Sequence, residues 1–179
     1  VMEANESMMK LDEILSQQPL PEAVRSQKPR DHTVVFDQVT FRYPGAERPA
    51  LDHVSFTVPE GSVVGLVGPS GGGKSTAAAL IPRFWDVESG SVKIGGVDVR
   101  NMDSRELMRQ VAFVFQDTRL FKVSILENIR MARPSATLEE ILAAARAAQC
   151  GDILEKLPQG LDTVVGAKGV YLSGGEQQR

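Results

Sequence analysis

Apolar positions along the 179 residues fall into three periods, and each period predicts its own kind of element. Met8, Leu11, Ile14 and Leu15 recur at helical spacing, which predicts a helix over 5–18 with Asn5 or Ser7 as its cap. Pro19-Leu20-Pro21 ends it, and the polar stretch to Arg30 reads as a linker. From Thr33 the period becomes two. Val34, Phe36, Val39, Phe41 and Tyr43 predict a strand, a second follows at 54–58, and a third, short one at 91–94 between glycine turns. Two apolar runs predict further strands: 63–67, leading into a glycine-rich turn, and 111–115, bounded by polar residues and read as buried. Helical spacing returns at 75–84, 104–109, 125–131, 138–148 and 153–157, and Thr137 with Glu140 forms a capping-box pattern. Antiparallel strands, then a strand–turn–helix unit, then helices, predict an α/β chain with a mixed sheet and a helical subdomain over about 119–179.

The turn after 63–67 carries the chemistry. Gly68-Pro69-Ser70-Gly71-Gly72-Gly73-Lys74-Ser75-Thr76 fits G-x-x-x-x-G-K-[ST], the phosphate-binding loop, with an apolar run before it and a helix after it. Its glycines let backbone N–H groups converge on an anion, and the helix start adds partial positive charge. Lys74 then reaches the β- and γ-phosphates, and the Ser75 hydroxyl ligates Mg²⁺. A tight glycine turn without chemistry is the rival reading, and the Lys-Ser pair after the last glycine speaks against it.

Composition narrows the partners. Hydrophobic residues are 42%, charged residues 24%, and the net charge of -3 comes without any basic block, which argues against a nucleic-acid partner. The single cysteine, Cys150, allows no internal disulfide and reads as a packing residue. His32 and His53 show no metal-ligand spacing and read as surface residues. No apolar run approaches the roughly 20 residues that span a bilayer. Val1 is not a methionine and Arg179 falls inside a helical pattern, so the chain is expected to be a fragment.

Three further stretches decide among phosphate-loop proteins. Leu172-Ser173-Gly174-Gly175-Glu176 is a helix start with a serine cap, a second place where backbone N–H groups can meet phosphate. Gln116 leaves the 111–115 run and offers a neutral amide to Mg²⁺ or water. Tyr43 offers a ring to a purine. With these in order the chain resembles the nucleotide-binding domain of ATP-binding cassette (ABC) proteins from about Thr33 onward. Leu172 to Glu176 is similar to the signature motif LSGGQ, with glutamate replacing the last glutamine. Gln116 is similar to the Q-loop glutamine, and Tyr43 to the adenine-stacking aromatic.

The resemblance implies a truncated P-loop NTPase fold of the ABC ATPase type: an antiparallel β subdomain, a mixed-sheet core and a helical subdomain. It implies ATP and Mg²⁺, bound by Tyr43, by Gly68, Pro69, Ser70, Gly71, Gly72, Gly73, Lys74, Ser75 and Thr76, and by Gln116, with Ser75 and Gln116 on the metal. It implies a head-to-tail dimer with an identical or different second domain, in which Ser173, Gly174, Gly175 and Glu176 meet the nucleotide held by the partner. About a hundred residues separate loop and signature, as in transporters. Residues 1–32, with Leu11-Asp12-Glu13-Ile14-Leu15, resemble the junction after the last membrane helix of an exporter-type half-transporter. Thr163 to Gly169 resembles the exporter X-loop TEVGERG, with Ala167 where a glutamate is expected to touch the partner's coupling helix. Gly174 to Gln178 also resembles exporter-fold transporters of siderophore gene clusters.

The expected parent is thus an ABC transporter ATPase in the cell membrane. Its membrane domain lies on the same polypeptide, and this domain faces the cytoplasm. The Walker B aspartate, the catalytic glutamate and the switch histidine belong after Arg179, so no catalytic base is assigned here, Gln116 is at most assisting, and the isolated chain is expected to be inactive and poorly stable. Two rivals remain: a soluble ABC ATPase acting on nucleic acid or ribosomes, and a non-hydrolysing regulatory ABC domain.

Overall fold

The computed structural model describes residues 2–166 and 170–179, in two compact units, 1–112 and 113–179. The first unit opens with α1 (Met2–Leu15) and builds a four-stranded antiparallel sheet from β1 (Val34–Phe41), β2 (Leu51–Val58), β3 (Ser89–Ile94) and β4 (Val97–Asp98), in the order β2-β1-β3-β4. Helix α2 (Lys74–Leu80) lies between β2 and β3 in the chain, and α3 (Ser104–Gln110) follows β4.

β1 is central because it pairs on both sides: Val34 faces Val58 of β2 and Ile94 of β3. Its inward residues are Phe36, Val39 and Phe41, a step of three and then two. The extra residue is a bulge. Gln38 takes a left-handed φ of 49°, and its backbone N–H donates to the Ser55 hydroxyl at 2.9 Å. Opposite it, Gly90 (φ 78°) lies against β1 so closely that a Cβ would come within 2.3 Å of the Gln38 carbonyl oxygen. The core joins Phe36, Val39, Phe41, Val92 and Ile94 of the sheet to Ala77 and Leu80 of α2 and Leu107 of α3. Truncating Leu80, at 1% exposure, to alanine would cost about 2–5 kcal/mol.

Helix α2 ends at Leu80, before the predicted end at 84. Pro82 has no N–H to continue the helical ladder, and Arg83 turns left-handed (φ 56°). Helix α1 covers Met2–Leu15, so Asn5 and Ser7 lie inside it rather than capping it, and its Met8, Met9, Leu11, Ile14 and Leu15 are exposed. The polar stretch after it is laced to the first unit. Pro21 O accepts from Arg83, the Glu22 carboxylate from the Ser104 N–H, the Ser26 hydroxyl from the Asp103 N–H, and Gln27 N–H donates to Asn101 O. Those bonds from Ser104 hold Glu22 below its ordinary range.

The runs 63–67 and 111–115 belong to no strand, which differs from the expectation of two strands, the second buried, and a mixed sheet. Val63 and Val67 are fully exposed, and Val114 and Phe115 more than half exposed. A strand exists only when a neighbour satisfies its backbone groups, and among the described residues no segment pairs with either run.

The second unit holds α4 (Ile125–Arg130), α5 (Leu138–Ala147), α6 (Gly151–Lys156) and α7 (Gly174–Gln178) around Ile125, Ile141, Ala145 and Ile153. Thr137 and Glu140 form the expected capping box at α5. Thr163 is buried; its hydroxyl accepts from Gln159 N–H at 3.1 Å, and its carbonyl from Ile125 N–H at 3.0 Å. The X-loop reading at Ala167 to Gly169 lies outside the described residues.

Candidate functional site: the phosphate loop and the signature helix

The loop is shaped by two left-handed glycines, Gly71 (φ 77°) and Gly73 (φ 79°), with Gly72 N–H donating to Pro69 O at 3.1 Å between them. Gly73 occupies the N-cap position of α2, and no side chain caps the helix there. Its neighbours leave no room for one: a Cβ on Gly73 would lie 2.5 Å from Ala50 O and 2.7 Å from Leu51 Cδ2. The loop is therefore a backbone cradle at a helix start, pressed against the head of β2. Buried Thr76, Ala77 and Leu80 anchor α2 beneath it, while Ser75 stays exposed to solvent.

Lys74 folds back over the cradle. Its Nζ donates to Gly68 O at 3.0 Å and Pro69 O at 2.7 Å, and among the described residues no carboxylate pairs with it. An ammonium satisfied by carbonyl dipoles alone retains its full charge for an anion, so the residues present fit a nucleotide's phosphates and a hard cation at the Ser75 hydroxyl.

Tyr43 follows β1 and stands beside the same helix. Its hydroxyl lies 3.1 Å from Thr76 Oγ1, and its ring meets Phe41 edge to face at 4.8 Å and Trp85 at 5.6 Å. The structure thus brings Tyr43 against Thr76, the last residue of the Gly68 to Thr76 stretch, in the first unit.

Gln116 and the signature lie in the second unit, where a residue not predicted as functional joins them. Gln178, on α7, donates its Nε2 to Gln116 O at 2.9 Å. The paired glutamines after Glu176 were the only trace of this in sequence. The Gln116 side chain itself is exposed.

Ser173 caps α7 as predicted, and Glu176 closes a capping box on it. Ser173 N–H and Oγ–H both donate to Glu176 Oε2 at 2.8 Å, and Glu176 N–H donates to Ser173 Oγ at 3.3 Å. The Ser173 backbone N–H first, then its hydroxyl, with Lys156 and Arg179 nearby, hold the Glu176 carboxyl below its ordinary range. A Cβ at Gly174 or Gly175 would meet nothing within 4 Å, so the start of α7 presents bare backbone. The histidines are as expected: His32 pairs with Glu60 and His53 with Asp52, all exposed. No cluster of metal-ligating side chains occurs among the described residues, and the metal reading rests on a hydroxyl and an amide.

Comparison with known proteins agrees with this geometry. The family profile described as ABC transporter matches residues 51–179. The chain is 47% identical over 159 residues to the putative multidrug export ATP-binding/permease protein YgaD of Bacillus subtilis, covering 89% of this chain and 27% of that protein. It is 50% identical over 147 residues to the ATP-dependent lipid A-core flippase of Dechloromonas aromatica, covering 82% and 25%. It is 51% identical over 146 residues to the mycobactin import ATP-binding/permease protein IrtA of Mycolicibacterium smegmatis, covering 82% and 17%. A bacterial Atm1-family ABC exporter solved with ATP bound superposes with a TM-score of 0.82 at 36% identity, over 98% of this chain and 31% of that one.

A loop–helix cradle, an antiparallel subdomain and a helical unit ending in a capped signature define a nucleotide-binding domain. The chain belongs to the ABC transporter family. It spans between 17% and 27% of the length of these curated relatives, and no helix among the described residues is long and apolar enough to cross a membrane.

Proposed function

We propose that this chain is the ATP-binding part of an exporter-type ABC transporter, which couples ATP binding and hydrolysis to movement of a cargo across the cell membrane. The observation that carries the reading is the Lys74 ammonium, held over the loop by two carbonyls at the head of α2. On nucleotide binding it exchanges those carbonyls for the β- and γ-phosphate oxygens. The backbone of residues 71–75 cradles the phosphates, and Tyr43 stacks on the base. Ser75 in the first unit and Gln116 in the second would each offer an oxygen ligand to Mg²⁺, which when bound would supply charge neutralisation to the phosphates. Ser173, Gly174, Gly175 and Glu176 complete the site of a second domain, in a head-to-tail dimer with the membrane domain on the same polypeptide and this domain on the cytoplasmic side. No residue of this chain is assigned as the base that activates water.

The three relatives are named for a multidrug export, a lipid A-core flippase and a mycobactin import function. Cargo is therefore not assigned from this domain. One observation favours a second reading, a regulatory site: the Ser173 hydroxyl is committed to the Glu176 carboxylate. The test is Lys74→Ala in the full-length protein. Loss of ATP binding of at least tenfold is expected; unchanged affinity would sink the assignment.

A further inference from the structure

The structure places a second aromatic residue beside Tyr43, one that neither the loop pattern nor the signature marks. Trp85 is the chain's only tryptophan. Its ring stands perpendicular to Tyr43 (86°) at 5.6 Å and is tilted against Phe41 at 6.1 Å. Phe41 is buried, whereas Tyr43 and Trp85 are each more than a third exposed, so the pair forms an open corner on a fixed floor.

The segment that carries Trp85 is firmly built. Arg83 turns left-handed after Pro82 and grips Asp86 with two hydrogen bonds, 2.7 and 3.0 Å, while donating a third to Pro21 O. Phe84 N–H closes on Ala79 O, and Glu88 N–H donates to Thr40 O on the strand that leads to Tyr43. The Tyr43 side chain is therefore contacted from two places. Thr76 in the first turn of α2 meets the hydroxyl, and Trp85, on the turn segment five residues after the helix ends, meets the ring.

We propose that Trp85 is a positioning residue for Tyr43, setting the plane on which a purine base stacks and thereby the base-dependent share of nucleotide affinity. This rests on the nucleotide reading above. A perpendicular neighbour removes rotations of the tyrosine ring that would otherwise be lost on binding, and edge-to-face contact supplies its own attraction. Trp85 contributes nothing to the phosphates, which the loop holds by backbone and by Lys74.

The experiment compares ATP with inorganic tripolyphosphate, by calorimetry on the full-length protein. Trp85→Ala is expected to weaken ATP about three- to tenfold, in line with an edge-to-face aromatic pair, and to leave tripolyphosphate unchanged. Trp85→Phe restores ATP affinity to within about twofold. In a Tyr43→Ala background, Trp85→Ala adds no further loss. Trp85→Leu keeps apolar bulk without the aromatic edge, and it shows the same selective loss if the alanine variant does not fold. Equal loss of both ligands, no loss of either, or a full Trp85 effect without Tyr43 would overturn the inference. Lys74→Ala separates the two readings. Loss of tripolyphosphate binding there, beside a flat Trp85 series, overturns only the positioning role. Unchanged binding there overturns the nucleotide reading beneath it.

Discussion

Gly73 rests on Ala50: a Cβ at position 73 would come within 2.5 Å of the Ala50 carbonyl oxygen, with the backbone at φ 79°. The phosphate loop is therefore braced from behind by the head of β2, and the brace is backbone, which cannot swing away. Gly71 has nearly the same φ, 77°, but nothing within 4 Å. Gly71→Ala is expected to cost about 1–2 kcal/mol from the left-handed conformation alone. Gly73→Ala adds a backbone collision and should cost clearly more while shifting the loop. Chemical denaturation and ATP titration of both variants in the full-length protein check this; equal penalties would mean the Ala50 contact is not a constraint.

Ser75 is exposed and its neighbour Thr76 is buried. Ser75→Ala is accordingly expected to leave stability within about 0.5 kcal/mol of the parent, as for an exposed surface position. It should remove most of the gain in ATP affinity that Mg²⁺ gives. Titrations with and without Mg²⁺ read this directly, and an unchanged Mg²⁺ gain would take Ser75 off the metal.

Glu176 accepts from both the N–H and the hydroxyl of Ser173, which hold its carboxyl below the ordinary value of 4.5. A carboxylate with a lowered folded-state pKa contributes stability that is fully present above the unfolded value and is lost as pH falls through the folded one. The cap of α7 should hold from neutral pH down through 4.5 and weaken only below it. Carbon-detected NMR titration of Glu176 should show a midpoint under 4.5, and Ser173→Ala should raise it. A midpoint at or above the ordinary value would contradict the capping box.

Val63, Val67, Val114 and Phe115 are apolar and exposed in the described chain. The 179 residues expressed alone are expected to bind an apolar dye and to melt broadly at low temperature. A sharp, high-temperature transition without dye binding would show that the two runs find cover.

The phosphate loop was legible because its chemistry is local: glycines at fixed offsets, then Lys74 and Ser75, needing only a turn and a helix start. The Ser173–Glu176 and Thr137–Glu140 boxes were legible for the same reason, since a cap spans three residues. The bulge in β1 was not read from the sequence, where the step from Phe36 to Val39 passed as part of a period of two; the pairing register exposes it. The runs 63–67 and 111–115 were read as strands from apolarity, but strand formation depends on a partner elsewhere in the chain, and apolarity does not supply one.

The family, the glycine turn leading into α2 and the caps of α5 and α7 were legible in the sequence alone, because their interacting atoms lie within a few residues of one another. Only the tertiary structure decided that Gly73 is backed by Ala50, that Thr76 and Trp85 flank Tyr43, and that Gln178 holds the Gln116 backbone. Those contacts join residues 23 to 62 positions apart. No local pattern records which distant residue a fold will bring into contact.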